Sequence, residues 1–198
     1  MRNFIIPLIV LAFLLLTYFL MSSGILIHKG GVKVTSLNLK GIPKLIIIYS
    51  PAFKKGSFIP RKYTCEGGGL SPPLKWNLSK VRGEIRSLAL IAFDPDAPRG
   101  TFIHWLLYDI PVNLTNLPEG IPKVGEIPGV GIQGINGFGR IGYDGPCPPP
   151  GPPHRYFFRL LALDKVLKLR QGATIEELEV AIKGHILAYG DYIGLYRR

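Results

Sequence analysis

The chain opens on an unbroken apolar stretch and then changes character. No charged residue falls between Asn3 and Ile27, and residues 4–21 read FIIPLIVLAFLLLTYFLM. About 20 helical residues cross a bilayer core of roughly 30 Å. The run therefore predicts a single-pass transmembrane anchor within residues 1–24. A cleaved signal peptide is the rival reading, with SSG at 22–24 as its cleavage site, although its apolar core is usually only about 7–15 residues. Residues 25–44 read as a linker ending near Pro43, and residues 45–198 as a globular domain. Within that domain, RSLALIAFD (86–94), TFIHWLLYDI (101–110) and HRYFFRLLALD (154–164) are short, apolar and rich in aromatics. Such runs, set off by the turn clusters GGGLSPP, DPDAPRG and NLPEGIP, read as strands. No regular alternation of strand and helix accompanies them, so a mainly β sandwich is expected.

One helix is predicted over TIEELEVAIKG (174–184). Thr174 and Glu177 form a capping box, Ile175, Leu178 and Ile182 share a face, and Gly184 suits the C-terminal cap. The tail HILAYGDYIGLY is expected as a second helical segment or a packed extension. Residues 120–153 hold ten glycines and eight prolines in 34 positions. The stretch GPCPPPGPP (145–153) is stiff, because each proline fixes φ, and stiffness suits the wall of a pocket.

Side chains alternate faces along a strand. His154 and Tyr156 then point the same way, and His104 shares a face with Phe102, Leu106 and Tyr108. If the two strands are neighbours, both histidines and the tyrosine line one cavity, although each alone is more commonly a packed core residue. Asp94 and Asp96 of DPDAP cap turn amides in the plainest reading. They also stand where carboxylates can orient histidine tautomers or accept from a ligand.

Composition narrows the chemistry. The net charge is +11, from 24 Lys and Arg against 13 Asp and Glu, which suits nucleic acid, anionic lipid or a small anion. No helix-turn-helix cue, zinc-finger spacing or basic stripe with aromatics is present, so nucleic acid is not expected. No His-x-x-x-His or Cys-x-x-Cys spacing supports a metal, and no G-x-S-x-G elbow supports a serine hydrolase. A hydrolase using Cys147 and His154 is the remaining enzymatic alternative; pairing of Cys147 with Cys65 would quench it. Lys29, Lys33, Lys40 and Lys44 after the apolar run favour an internal domain, but long domains translocate regardless of such charges. The sequons at Asn77 and Asn113, and a disulfide, would favour the exterior, which is the expected side.

The blocks DPDAP (94–98) and PCPPPGPPHRY (146–156), with YTCEGGGLSPPLKW, HWLLYDIP and AIKGHILAYGDYIGLYRR, resemble the phosphatidylethanolamine-binding protein family, in its compact bacterial and archaeal branch. The resemblance runs in register over about residues 45–198. It implies two antiparallel sheets in a Greek-key sandwich with a C-terminal helix. It also implies a small pocket for a phosphate-like headgroup, with no cofactor and no established catalysis. Matched residue by residue, the pocket comprises Asp94, Asp96, His104, Pro148, Pro149, His154 and Tyr156. If the blocks converge as in the family, Cys65 and Cys147 come within disulfide range. The function expected is a membrane-anchored binding protein for a small anionic ligand or phospholipid headgroup. A protein–protein inhibitor of a protease or kinase, with an unspecified protein partner, is the alternative.

Overall fold

The computed structural model describes residue 37 and residues 39–198. The expected anchor lies outside them; among the described residues no helix is long and apolar enough to cross a membrane. Among the described residues the strands are, in chain order, β1 (Ile47–Tyr49), β2 (Leu74–Asn77), β3 (Ser87–Asp94), β4 (Phe102–Ile110), β5 (Asn116–Leu117), β6 (Glu126–Ile127), β7 (Gly131–Gln133), β8 (His154–Leu163) and β9 (Ile186–Tyr196), with the helix α1 (Ile175–Ile182) between β8 and β9. They form two antiparallel sheets. The smaller has the order β1-β2-β5 and the larger β6-β7-β4-β3-β8-β9.

The alternation along β3 and β8 explains the layering. Leu88, Leu90 and Ala92 of β3, with Phe158 and Leu160 of β8, meet Ile48, Leu74, Trp76 and Leu117 of the small sheet. The opposite face, with Ala89, Ile91, Leu161 and Leu163, meets Ile175, Leu178 and Ile182 of α1. A strand covered on both sides needs apolar residues at every position, which is why these segments read as continuous apolar runs. Full burial of one such Leu or Ile stabilises by about 1.5–3 kcal/mol.

The helix forms where its capping box sits. Glu177 N–H donates to the Thr174 hydroxyl oxygen at 3.3 Å, and Thr174 N–H donates to Glu177 Oε2 at 2.7 Å. The tail is not helical; it packs as a strand. Residues 186–196 form β9, the edge strand paired along β8 from His154↔Tyr196 to Leu163↔Ile186. Its Gly-interrupted pattern is the reason. Ala188, Gly190, Tyr192, Gly194 and Tyr196 alternate on one face, a period of two. A Cβ at Gly190 would lie 2.2 Å from the Ile46 carbonyl oxygen, and one at Gly194 2.4 Å from Ile59 Cγ1. The glycines let residues 46 and 59 close over the strand.

The domain reaches a little upstream of residue 45. Tyr189 N–H donates to the Pro43 carbonyl at 3.1 Å, and Lys44 Nζ lies 2.9 Å from Asp191 Oδ2.

Cys65 and Cys147 are joined by a disulfide, with Cα atoms 5.4 Å apart across a sequence separation of 82. It fastens the Gly-rich turn after the short 3₁₀ segment Arg61–Tyr63 to the proline-rich wall. Closing a loop of that length is worth about 4 kcal/mol on the chain-entropy account. Urea denaturation with and without reductant should therefore show a stability loss of about that size on reduction. Superimposable curves would show that the bridge adds nothing to the fold.

Candidate functional site

Two irregularities of β4 decide which way its side chains face. Ala92 pairs with Trp105, yet the next residue, Phe93, pairs with Ile103. His104 is thus an extra residue, a β-bulge of the kind that re-aims side chains near functional sites. The bulge breaks the strict alternation expected from the sequence. Phe102 and His104 both face the cavity described below, and Trp105 and Leu107 enter the inter-sheet core. Leu106 and Tyr108, expected beside His104, go to the helix side with Ile103. A second slip follows between Leu90↔Leu107 and Leu88↔Ile110. There Asp109 adopts φ 51°, and its carboxylate accepts from the amides of Leu167 and Lys168 at 2.7 and 2.9 Å.

At the end of the inter-sheet face, where β3, β4 and β8 run out of small-sheet cover, lies a cavity of about 140 Å³. Asp94, His104, His154 and Tyr156 line it together with Pro148 and Pro149 of the wall. Six of the seven expected residues therefore converge. Ala97, Pro98, Phe102, Phe138 and Cys147 complete the lining.

Asp94 is buried, and both its oxygens are occupied. Oδ1 accepts the Asp96 amide at 2.8 Å, and Oδ2 lies 2.8 Å from His154 Nδ1. A carboxylate only accepts, so Nδ1 of His154 carries a proton and Nε2 is left for the cavity. The lone pairs of the carboxylate are thus directed at the turn and at the histidine.

His104 is held differently. Its Nδ1 lies 2.7 Å from the Asp144 carbonyl oxygen, and Asp144 N–H donates to the His104 carbonyl at 3.0 Å. The ring is packed edge-on against Phe138 and Tyr156, with centroids 5.9 and 5.3 Å away. Burial lowers its pKa, outweighing the opposite pull of the Asp144 carbonyl and of the Asp94 and Asp144 charges.

Tyr156 is 3% exposed, and among the described residues its hydroxyl has no hydrogen-bond partner of good geometry, Asp94 being its nearest polar influence. Its pKa is raised by burial first and by Asp94 next, so the group is a neutral O–H donor. Such an orphan is costly in a folded protein.

Asp96 does not line the cavity. It is pinned at the rim by Arg155, which donates its backbone N–H and Nε at 2.9 Å each and Nη2 at 2.6 Å. Arg155 faces away from its neighbours His154 and Tyr156, and Asp96 follows it. These bonds hold the Asp96 carboxyl down at about 2. Asp96 is therefore a latch between the DPDAP turn and β8.

Asn136 and Asp144 are functional positions that sequence reasoning did not single out. Asn136 Nδ2 donates to the Gly142 carbonyl at 2.9 Å and to Asp144 Oδ2 at 2.7 Å. Lys123 and Arg140 each meet the Asp144 carboxylate at 2.8 Å. Burial would raise the Asp144 pKa, but the hydrogen bonds from Arg140, Lys123 and Asn136 together hold it low. This fixes the loop whose carbonyl grips His104. The available signal was the turn dipeptide Asn136-Gly137. The wall is anchored as firmly. Cys65 N–H donates to the Pro146 carbonyl at 3.1 Å, and a Cβ at Gly145 would lie 2.3 Å from the Tyr63 carbonyl oxygen.

The Cys147–His154 alternative is removed by the disulfide, which leaves no free thiol for a nucleophile. Among the described residues no three His, Cys, Asp or Glu side chains are grouped to hold a metal ion. A larger hollow, about 240 Å³, opens on the helix side of the sheet. Its guanidinium groups, on Arg155 and Arg159, are committed to Asp96 and Asp191.

Replacing Tyr156 by Phe tests this geometry. With no partner lost, thermal stability should stay level or rise by about 1–3 kcal/mol, the penalty of an unmade buried hydrogen bond. A melting temperature several degrees lower would show that the hydroxyl is satisfied within the fold.

A family model for phosphatidylethanolamine-binding protein matches residues 49–197. Among curated relatives, UPF0098 protein PH1269 of Pyrococcus horikoshii is 50% identical over 161 residues, covering 80% of each chain. The UPF0098 protein of Aquifex aeolicus is 48% identical over 153 residues, covering 76% of this chain and 88% of its own. The crystal structure of the phosphatidylethanolamine-binding protein homologue CT736 from Chlamydia trachomatis superposes with a TM-score of 0.69 at 41% identity, covering 78% of this chain and 99% of that one. That of E. coli YbcL, a member of the same family, gives 0.71 at 28% identity, again covering 78% and 99%. The chain belongs to the phosphatidylethanolamine-binding protein family.

Proposed function

We propose that this domain is a binding protein for a small phosphate-bearing ligand, held in the cavity between β3, β4, β8 and the proline-rich wall. The observation that carries the reading is the buried Tyr156 hydroxyl, without a hydrogen-bond partner of good geometry among the described residues, which faces the same cavity as both histidines. In its protonated form His154 donates from both ring nitrogens, Nδ1 to Asp94 and Nε2 to the cavity. Tyr156 adds a neutral donor. The volume suits a small polyatomic group and not a whole lipid. A neighbouring groove shares Phe138 and Cys147 with the cavity and carries Arg140. It gives the remainder of a phosphorylated molecule a path outward. The family name points the same way, since the phosphatidylethanolamine headgroup contains a phosphate. In this reading His104, His154 and Tyr156 meet the ligand, Asp94 orients His154, and Pro148 and Pro149 exclude water.

The apolar run 4–21 is proposed to attach the domain to a membrane, with the domain outside the cell. Full-length protein should sediment with membranes, while a chain beginning near Leu45 should not. Recovery of the expressed protein from the soluble fraction, with residues 1–24 missing, would identify a cleaved leader instead.

Titration calorimetry with inorganic phosphate tests the pocket. A charge-assisted hydrogen bond contributes about 1.5–3 kcal/mol, so His154→Ala should weaken binding by roughly 10- to 150-fold. An unchanged affinity in His154→Ala and in Tyr156→Phe would remove the cavity as the binding site.

A further inference from the structure

Two surface asparagines, Asn77 and Asn113, each begin an Asn-Leu-Ser/Thr triplet, and the fold treats the two triplets alike. In each, the central leucine, Leu78 or Leu114, packs against the inter-sheet core. The residues on either side of it, Asn77 with Ser79 and Asn113 with Thr115, are exposed. Asn77 closes β2, and its Oδ1 accepts the Ser79 amide at 2.8 Å. That Asx turn fixes the carboxamide beside Ser79 and leaves Nδ2 without a bond among the described residues. Asn113 stands in the turn after β4, closed by Leu114 N–H donating to the Pro111 carbonyl at 3.1 Å. Neither its side chain nor that of Thr115 is bonded among the described residues.

Resting on the reading of the domain as outside the cell, we infer that Asn77 and Asn113 are N-glycosylation sites. The reaction joins Nδ2 to the anomeric carbon of a sugar carried on a lipid-linked phosphate or diphosphate. The N–C bond forms as the C–O bond to phosphate breaks; the lipid phosphate leaves with the electron pair, and Nδ2 gives up one proton. The Asn-x-Ser/Thr triplet is the acceptor for this chemistry in secreted chains, and the disulfide suits the same oxidising side of a membrane. Asn116 is exposed as well, but Leu117 and Pro118 follow it and supply no hydroxyl.

The surroundings give the sugars something to cover. Lys75 of β2 pairs with Asn116 of β5, and Trp76 N–H donates to the Thr115 carbonyl at 2.9 Å, so the two triplets emerge at one end of the small sheet. There Ile47 of the edge strand β1 pairs with Asn77 and is 51% exposed, and Val112, next to Asn113, is 41% exposed. Directly opposed side chains lie about 4.5–5.5 Å apart at Cβ, so the first sugar on Asn77 reaches Ile47. An edge strand with exposed apolar side chains invites pairing with another chain, and a bulky, hydrated glycan blocks that approach. The cavity lies away from the sugars. Leu88↔Ile110 marks this end of the large sheet and Asp94↔Phe102 the other, roughly 20 Å along β3 at about 3.3 Å per residue.

The test is peptide mass spectrometry of full-length protein purified from the cells that naturally make it, paired with labelling of its lysines on intact cells by a membrane-impermeant amine reagent. The expected result is labelled lysines, sugar masses on the peptides that carry Asn77 and Asn113, and fragment ions that place none on Asn116. Ser79→Ala should abolish the added mass at Asn77 and keep that at Asn113, and Thr115→Ala should do the reverse. Neither hydroxyl is bonded among the described residues, so each variant keeps the fold, and the site left intact shows that the chain met the glycosyl donor. Unmodified Asn77 and Asn113 in protein whose lysines label on intact cells overturn the inference and leave the external placement standing. Unmodified asparagines in protein that labels only after the cells are opened overturn the external placement, and the inference with it.

Discussion

The site depends on one buried carboxylate. Asp94 ends β3 with its side chain on the inter-sheet face, out of water, where an unpaired charge would cost several kcal/mol. Its two oxygens are therefore spoken for, one by the amide of Asp96 and one by Nδ1 of His154. The first bond shapes the DPDAP turn, and the second sets the tautomer of the histidine that begins β8. Arg155, the next residue along, holds Asp96 from outside. A single strand end thus fixes a turn, a ring orientation and the mouth of a cavity.

The remaining wall is built by backbone contacts. A one-residue bulge puts His104 beside Phe102 on the cavity side, and the Asp144 carbonyl holds its ring there. The disulfide and the Pro146 carbonyl bring the proline-rich segment across the opening. Rigidity of this kind lowers the ordering cost when a small ligand binds. It also leaves Tyr156 with an unmet hydroxyl, a local stability cost consistent with a binding role.

Much of this was legible in the sequence, for physical reasons. The β3, β4 and β8 runs are apolar because both sheet faces are covered, and the Thr174–Glu177 capping box marked the start of α1. His154 and Tyr156 share a face by simple alternation. Other features resisted. A period-two pattern cannot show an inserted residue, so Leu106 and Tyr108 were grouped with His104 although the bulge sends them to the opposite face. Asp96 looked equivalent to Asp94 because its partner Arg155 lies 59 residues away. The residues 186–196 carried glycines that weaken both helix and strand signals, and only the close approach of residues 46 and 59 explains them. Asn136 and Asp144 act through a carbonyl and through loop closure, which leave little mark on sequence.

The most direct measurement of the central claim is a long-range proton–nitrogen correlation spectrum of the imidazole nitrogens, recorded with and without inorganic phosphate. His185 supplies an internal control, since its Nδ1 also lies 2.8 Å from a carboxylate, that of Asp164, but on the exposed surface away from the cavity. The account predicts that His104 and His154 both carry their proton on Nδ1 in the neutral form. It predicts that phosphate shifts the Nε2 resonances of these two while leaving His185 in place. Equal shifts at His185, or unmoved resonances at His104 and His154 under saturating phosphate, would contradict it.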